Sequence, residues 1–117
     1  MNLNDGIEGT ASGTTASATY VTALTLELNP FKSTTILVGN DDDTSSLTYR
    51  IRVYAKMTGT RVVTYTPEST IAQGGDDEET NITTTKYAKA IIEVKNGDGA
   101  ADYVIDYSQE RLQRGRK

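Results

Sequence analysis

The segment from Leu47 to Met57 alternates between two kinds of side chain. Apolar or aromatic residues occupy the odd positions, and the even positions hold Thr48, Arg50, Arg52, Tyr54 and Lys56. Successive side chains of a β-strand point to opposite faces, so this period of two predicts a strand with one buried face and one wet, cationic face.

Further short strands are predicted on both sides of this segment. They cover residues 20–28, 33–38, 60–66, 87–95 and 102–108. In the first of them Tyr20, Leu24, Leu26 and Leu28 are expected to share a face. Asn29-Pro30, Gly39-Asn40-Asp41 and Asn96-Gly97 mark turns, and Pro67 is expected to end the strand before it, since proline does not donate to a sheet.

These segments predict an all-β fold of about six to eight short antiparallel strands. Two architectures fit: a β-sandwich, either jelly-roll or immunoglobulin-like, or a small barrel. No helical pattern is long enough to supply the crossovers of a parallel sheet. A length of 117 residues suits one core.

The two ends differ from this body in composition. Residues 10–19, TASGTTASAT, are small and polar, which predicts a flexible N-terminal arm over residues 1–19. The β-sandwich domain is expected over residues 20–108, and residues 109–117 are expected to form a basic C-terminal tail.

The tail separates charge along the chain. It carries Arg111, Arg114, Arg116 and Lys117 against Glu110, a net +3, so a total of −4 leaves −7 on the rest. A solvated end is the plain interpretation, and an electrostatic contact with an acidic partner, including a second copy, is the alternative. Nucleic acid is disfavoured, because four cations without aromatic residues give few phosphate contacts and the acidic body would be repelled.

The composition excludes much chemistry. The chain has no histidine, cysteine or tryptophan, which removes imidazole bases, thiol nucleophiles and the usual structural zinc sites. Glu93, Asp102 and Asp106 are the best candidates for an acid pair, and each is explained as the wet side of a strand. We therefore expect no enzyme activity and no cofactor.

Two acidic runs are candidate calcium ligands: Asp41, Asp42 and Asp43, and then Asp76, Asp77, Glu78 and Glu79. Calcium needs six to eight oxygens that converge, whereas consecutive acids fan outward. Solvated loops or subunit contacts are the alternatives, and Gly74-Gly75 predicts mobility over residues 72–80.

The wet face that holds Arg50, Arg52 and Tyr54 is a candidate interaction surface. An exposed aromatic ring among polar groups can bind carbohydrate, so a carbohydrate-binding module is the alternative function. Cross-strand packing explains Tyr54 equally well.

Three features make up the general pattern of this chain: the arm at residues 10–19, the alternating strand at residues 47–57 and the Asn96-Gly97 turn. In this pattern the chain resembles the small sandwich proteins of tailed-virus particles, such as capsid decoration, minor capsid and head-completion proteins. The resemblance implies a non-enzymatic subunit that binds copies of itself or a capsid lattice. It also implies location in a virion, with the cytoplasm as the alternative, because no signal sequence or membrane-spanning run is recognisable.

Overall fold

A computed structural model describes residues 7–28, 32–42, 44–82, 87–96 and 99–111. Pro30 and Gly97, each part of a predicted turn, lie outside this set. The described residues form eight β-strands, which in chain order are β1 (Ile7–Thr15), β2 (Val21–Glu27), β3 (Lys32–Asn40), β4 (Leu47–Tyr54), β5 (Val62–Ile71), β6 (Glu78–Ile82), β7 (Lys89–Asn96) and β8 (Ala101–Arg111). The strands form two four-stranded sheets, in the orders β1-β8-β3-β6 and β2-β7-β4-β5. We call them the first and second sheet.

The strands pair in a nested order, from the middle of the described chain outward to its two ends. β4 pairs with β5, β3 with β6, β2 with β7 and β1 with β8, all antiparallel. The described chain is therefore one long antiparallel ribbon that folds over on itself to make two packed sheets. This connectivity is that of an eight-stranded jelly roll. The prediction of an antiparallel all-β sandwich is confirmed, and its jelly-roll form is the one observed.

The core lies between the two sheets, and β4 and β7 supply much of the second sheet's share of it. Ile51, Val53, Ala90, Ile92 and Val94 have no solvent-exposed surface, in keeping with the predicted alternation. β4 ends at Tyr54, three residues before the end of the alternating segment predicted over residues 47–57. A turn follows, in which the amide of Gly59 donates to the carbonyl of Lys56 at 3.1 Å, and Met57 is left 44% exposed.

The structure corrects the expected N-terminal arm, because residues 7–15 form β1. The small residues that suggest an arm have a packing role: Cβ atoms added at Gly9 and Gly13 would collide with the rings of Tyr107 and Tyr103. The aromatic rings of β8 thus supply the bulk that β1 lacks, and glycine leaves room for them.

The expected start of the basic tail at residue 109 is also corrected. β8 continues to Arg111, and Gln109 is buried. Its Nε2 donates to the carbonyl of Glu27 at 2.8 Å and to Oγ1 of Thr34 at 3.1 Å, so this side chain links β8 to both sheets.

Two further strand predictions differ from the structure in the β5–β6 region. β5 continues through Pro67 to Ile71, and β6 begins at Glu78, inside the segment predicted to be mobile. Pairing of β5 with β4 shifts register on both sides of Ile51, so β5 contains extra, bulged residues there. Proline fits there because β5 is an edge strand, where a missing donor costs no ladder bond.

A bulge in β2 changes the expected face of Tyr20. The register with β7 shifts between Thr22 and Leu24, which inserts Ala23 as an extra residue. Residues before the bulge therefore have the opposite alternation. Leu26 and Leu28 enter the core as predicted, whereas Tyr20 lies on the outer surface of the second sheet beside Arg50.

We predict that Asn40→Ala lowers the free energy of unfolding by about 2 kcal/mol, because it leaves buried backbone groups without partners. Asn40 Nδ2 donates to the carbonyls of Ser45 at 2.8 Å and Ile71 at 3.1 Å. Urea unfolding measures the loss. Asn81→Ala, on an exposed position of β6, is the matched control and should cost under about half as much. Equal losses would contradict the role given to Asn40.

Candidate interaction surfaces

The outer surface of the second sheet brings Arg50, Arg52 and Tyr54 together, as the alternation of β4 predicts. β7 adds Lys89 and Lys95, which pair in register with Tyr54 and Thr48. We call this surface the cationic face. Its cations come from two strands that are far apart in sequence but adjacent in the sheet.

Glu93 neutralises part of the cationic face. It lies opposite Arg50 in the register, and its Oε1 is 2.6 Å from Arg50 Nε and 3.4 Å from Arg52 Nη1. Both guanidinium groups lie within ion-pairing distance of this one carboxylate oxygen. Glu93 is therefore an ion-pairing residue of the sheet surface.

Tyr20 lies beneath two of the cations. Its ring centroid is 4.0 Å from Arg50 Cζ and 4.8 Å from Lys95 Nζ, within the range of cation–π attraction. Its hydroxyl donates to Glu68 Oε2 at 2.6 Å, and Lys95 Nζ is 3.0 Å from the same oxygen. Burial and this hydrogen bond raise the pKa of Tyr20, while the bonds from Tyr20 and Lys95 lower the pKa of Glu68.

The ring of Tyr54 is covered by a cation. Lys89 Nζ lies 4.7 Å from its centroid, and the two residues are direct cross-strand partners. A sugar that stacked on this side of the ring would have to displace the lysine. The contact favours cross-strand packing as the role of Tyr54 and gives no support to carbohydrate binding.

The outer surface of the first sheet has the opposite charge. Its exposed carboxylates come from β1, β6, β8 and the segment before β6: Glu8, Asp77, Glu79, Asp102, Asp106 and Glu110. We call this surface the acidic face. Thr10 Oγ1 donates to Asp106 Oδ1 at 2.7 Å, and Thr14 donates likewise to Asp102. Among the described side chains, no lysine or arginine lies on this surface.

A groove of about 400 Å³ crosses the acidic face between β1 and β3. Its lining combines the carboxylates of Glu8 and Asp106, the hydroxyls of Thr10 and Thr35, and the apolar side chain of Leu37. Carboxylates beside an apolar side chain suit a long cationic side chain, whose methylene stem is apolar and whose head is charged.

The two acidic runs do not converge on a common point. Asp42 accepts hydrogen bonds from the side chain and backbone of Thr44, which lower its pKa. Glu78 turns inward, where its Oε1 accepts from the hydroxyls of Tyr49 at 2.8 Å and Ser69 at 2.7 Å. Across the described part of the chain no cluster of three acidic side chains could hold a metal ion, and Asp43 lies outside that part. The calcium hypothesis gains no support.

The predicted basic residues lie at the end of β8. Arg111 is its last residue and pairs in register with Lys32. Arg114, Arg116 and Lys117 lie outside the described residues. Their role in contacts therefore stays a prediction.

Sequence reasoning missed the acidic face as a unit. Asp102, Asp106 and Glu110 recur every fourth residue, a spacing that puts side chains on one side of a strand, so the signal is present in the sequence. The sequence does not predict that Glu8 and Glu79 join this surface, because their positions depend on the pairing of β1 with β8 and of β6 with β3.

Comparison with solved structures shows what the fold is similar to. The chain aligns with a protein of Bacillus endospore appendages, described as a novel family of disulfide-linked pili, at a TM-score of 0.54 and 12% identity, covering 96% of this chain and 93% of that one. It aligns with the Yersinia pseudotuberculosis-derived mitogen at a TM-score of 0.56 and 10% identity, covering 95% and 90%. It also spans 35% of a chain in the structure of the infectious bursal disease virus Gx strain, at a TM-score of 0.53 and 11% identity, with 98% of this chain covered.

At these identities the similarity is one of fold. No protein-family model matches the chain, and no curated protein sequence matches it. Among the described residues there is no helix of the length and hydrophobicity needed to cross a membrane.

We predict that Tyr20→Phe raises the pKa of Glu68 toward its ordinary value, because the carboxylate loses the hydrogen bond that favours its charged form. A carboxylate with a lowered pKa stabilises the fold above its ordinary pKa, and this stabilisation is lost as the pH falls through the folded value. Wild-type protein should therefore lose more stability than Tyr20→Phe between about pH 5 and pH 3.

Carboxyl titration by NMR measures this pKa directly. Tyr54→Phe is the control, since the ring of Tyr54 contacts Lys89 and lies on the same sheet surface. An unchanged Glu68 pKa in Tyr20→Phe, or an equal rise in both variants, would contradict the assignment.

Proposed function

We propose that this chain is a non-enzymatic structural subunit, present in many copies in a larger particle, which acts through protein–protein contacts. The observation that carries the proposal is the separation of charge between surfaces. The acidic face lies on one sheet, the cationic face lies on the other, and further cations follow β8. Surfaces of opposite sign on one molecule favour contacts between copies.

The acidic face and the basic C-terminal residues are the complementary pair that we propose. The groove on the acidic face presents Glu8 and Asp106 near Leu37, and residues 112–117 contain Arg114, Arg116 and Lys117. Arginine pairs well with carboxylates because its planar guanidinium donates two parallel hydrogen bonds. In the proposed contact, the basic residues of one copy bind the acidic face of the next.

The cationic face provides a second contact area in this proposal. Arg52 is 3.4 Å from Glu93, a longer ion pair than the 2.6 Å of Arg50, and its side chain is partly exposed. A partner carboxylate could join this existing network without the cost of burying an unpaired charge. Arg50, Arg52 and Tyr54 therefore remain candidate contact residues.

The proposed location is a virion, and the fold comparisons support a structural role. The jelly-roll form is shared with a protein of endospore appendages that form pili and with part of a chain in a virus structure. The carboxylates with the best claim to catalysis are instead engaged by arginine or threonine: Glu93, Asp102 and Asp106.

The test is the native mass of the purified chain, measured by sedimentation velocity over a range of protein and salt concentrations. We expect assemblies at low ionic strength that dissociate as salt screens the contacts. Deletion of residues 112–117 should weaken assembly by about tenfold, since it removes three cations. The deletion begins at 112 because Gln109 is part of the fold.

The matched controls change the total charge by equal amounts. Glu8→Gln with Asp106→Asn removes two charges from the groove, and Glu27→Gln with Asp76→Asn removes two exposed charges elsewhere. The first pair should weaken assembly more than the second. A chain that stays monomeric at every protein and salt concentration would contradict the proposed function.

A further inference from the structure

The described sandwich has four edge strands: β1 and β6 in the first sheet, β2 and β5 in the second. An edge strand presents unpaired backbone N–H and C=O groups, to which another strand can add. Folded proteins block such edges with bulges, prolines, charges, short strands or covering side chains. Comparison of the four edges shows which of them is open.

Three edges carry at least one blocking device. β2 is interrupted by the bulge at Ala23, and β5 contains Pro67 and two register shifts. β6 is five residues long, and two of those residues are Glu78 and Glu79. The hydroxyl of Tyr65 also donates to the carbonyl of Asn81 at 2.9 Å and so occupies a β6 acceptor.

β1 lacks these devices. It pairs with β8 in unbroken register from Ile7 to Thr15, with no bulge. From Gly9 to Thr15 it contains no proline and no charged residue. Its small side chains also leave the backbone accessible, because the bulk over Gly9 and Gly13 comes from tyrosines of β8 on the inner side. From Gly9 to Thr15, β1 is thus a regular and uncharged edge, the kind that adds strands.

We propose that β1 pairs antiparallel with β1 of a second copy, about a two-fold axis near the middle of the strand. The two first sheets then become one continuous sheet of twice the width. The inference rests on the proposed function, because it names one of the contacts through which copies would associate. It requires no new fold, since the added strand repeats the hydrogen-bonding geometry that β1 already shares with β8.

Charge favours β1 of a second copy over the other edges as the occupant. Pairing with β6 would bring its carboxylates against the acidic face, whereas residues 9–15 of the two β1 strands are threonine, serine, alanine and glycine. Cross-strand threonine pairs are favourable. The acidic residues of the two β8 strands would be three strand spacings apart, about 14 Å, which exceeds the Debye length of about 8 Å in physiological salt.

The first test is the Ser12→Lys variant. Ser12 lies on the outer surface of β1, so two lysines would lie close together across the axis and repel. We expect the dissociation constant of the dimer to rise at least about tenfold, because the substitution occurs twice in each interface. Ser33→Lys, on the outer surface of the inner strand β3, is the control and should leave the dimer unchanged.

A second test does not depend on lysine being tolerated. The chain contains no cysteine, so any disulfide in a single-cysteine variant must link two molecules. Cysteine is placed in turn at Thr10, Ala11, Ser12 and Thr14, with Thr70→Cys on the β5 edge as control; Gly13 is left out because a side chain there would collide with Tyr103. One or two adjacent β1 positions should cross-link rapidly, because a disulfide requires Cβ atoms about 4 Å apart.

The outcomes separate this inference from the proposed function. Assemblies that form in both Ser12→Lys and the wild type, with no β1 cysteine cross-linking faster than Thr70→Cys, would overturn the β1 contact and leave the proposed function standing. A wild-type chain that is monomeric throughout would overturn both. Loss of the dimer in Ser12→Lys alone, together with rapid cross-linking near the middle of β1, supports the inference.

Discussion

Backbone pairing between β1 and β8 joins the two ends of the described chain, and both the acidic face and the β1 edge depend on it. The pairing places Glu8 and Thr10 beside Asp106 and so completes the acidic face. It also makes β1 the outermost strand of the first sheet. Without this pairing β8 would be the edge, and its tyrosines would lose the glycines against which they pack.

The strands that could be predicted from sequence are those in which one side chain in two enters the core. Ile51 and Val53 in β4, and Ile92 and Val94 in β7, follow this pattern and are fully buried. β1 could not be predicted, because its own residues are small and do not alternate between apolar and polar. The volume on its inner side is filled by Tyr103 and Tyr107 of β8, which is distant in sequence but adjacent in the sheet. β6 could not be predicted either, because Glu78 looks like a solvent-exposed acid but hydrogen-bonds to the buried Tyr49.

For the candidate surfaces, the sequence predicts which residues of one strand share a face but not which residues of the neighbouring strands lie beside them. Arg50, Arg52 and Tyr54 lie together as the alternation of β4 requires. Their ion-pairing and cation–π partners Glu93 and Lys89 come from β7, and which residues face one another depends on register. Tyr20 shows the limit most clearly, because one inserted residue in β2 moves it from the expected core to the outer surface. Sequence periodicity does not report such a bulge.

The proposed contacts use different directions of the same molecule. The acidic and cationic faces lie on the broad surfaces of the sandwich, whereas β1 lies along its edge. One copy could therefore use a face and an edge at the same time, and contacts in two directions build extended particles rather than closed pairs. Contacts of this kind rest on shape, backbone groups and fixed charges.

Whether this sandwich functions through contacts with its own copies is tested most directly by amide hydrogen exchange, followed strand by strand as protein concentration is raised. We expect exchange to slow in β1 and on the acidic face, while the blocked edge β5 is unaffected. Exchange that is independent of concentration in every strand would contradict the self-association proposed for this chain, and exchange that slows in β5 and not in β1 would contradict the β1 contact.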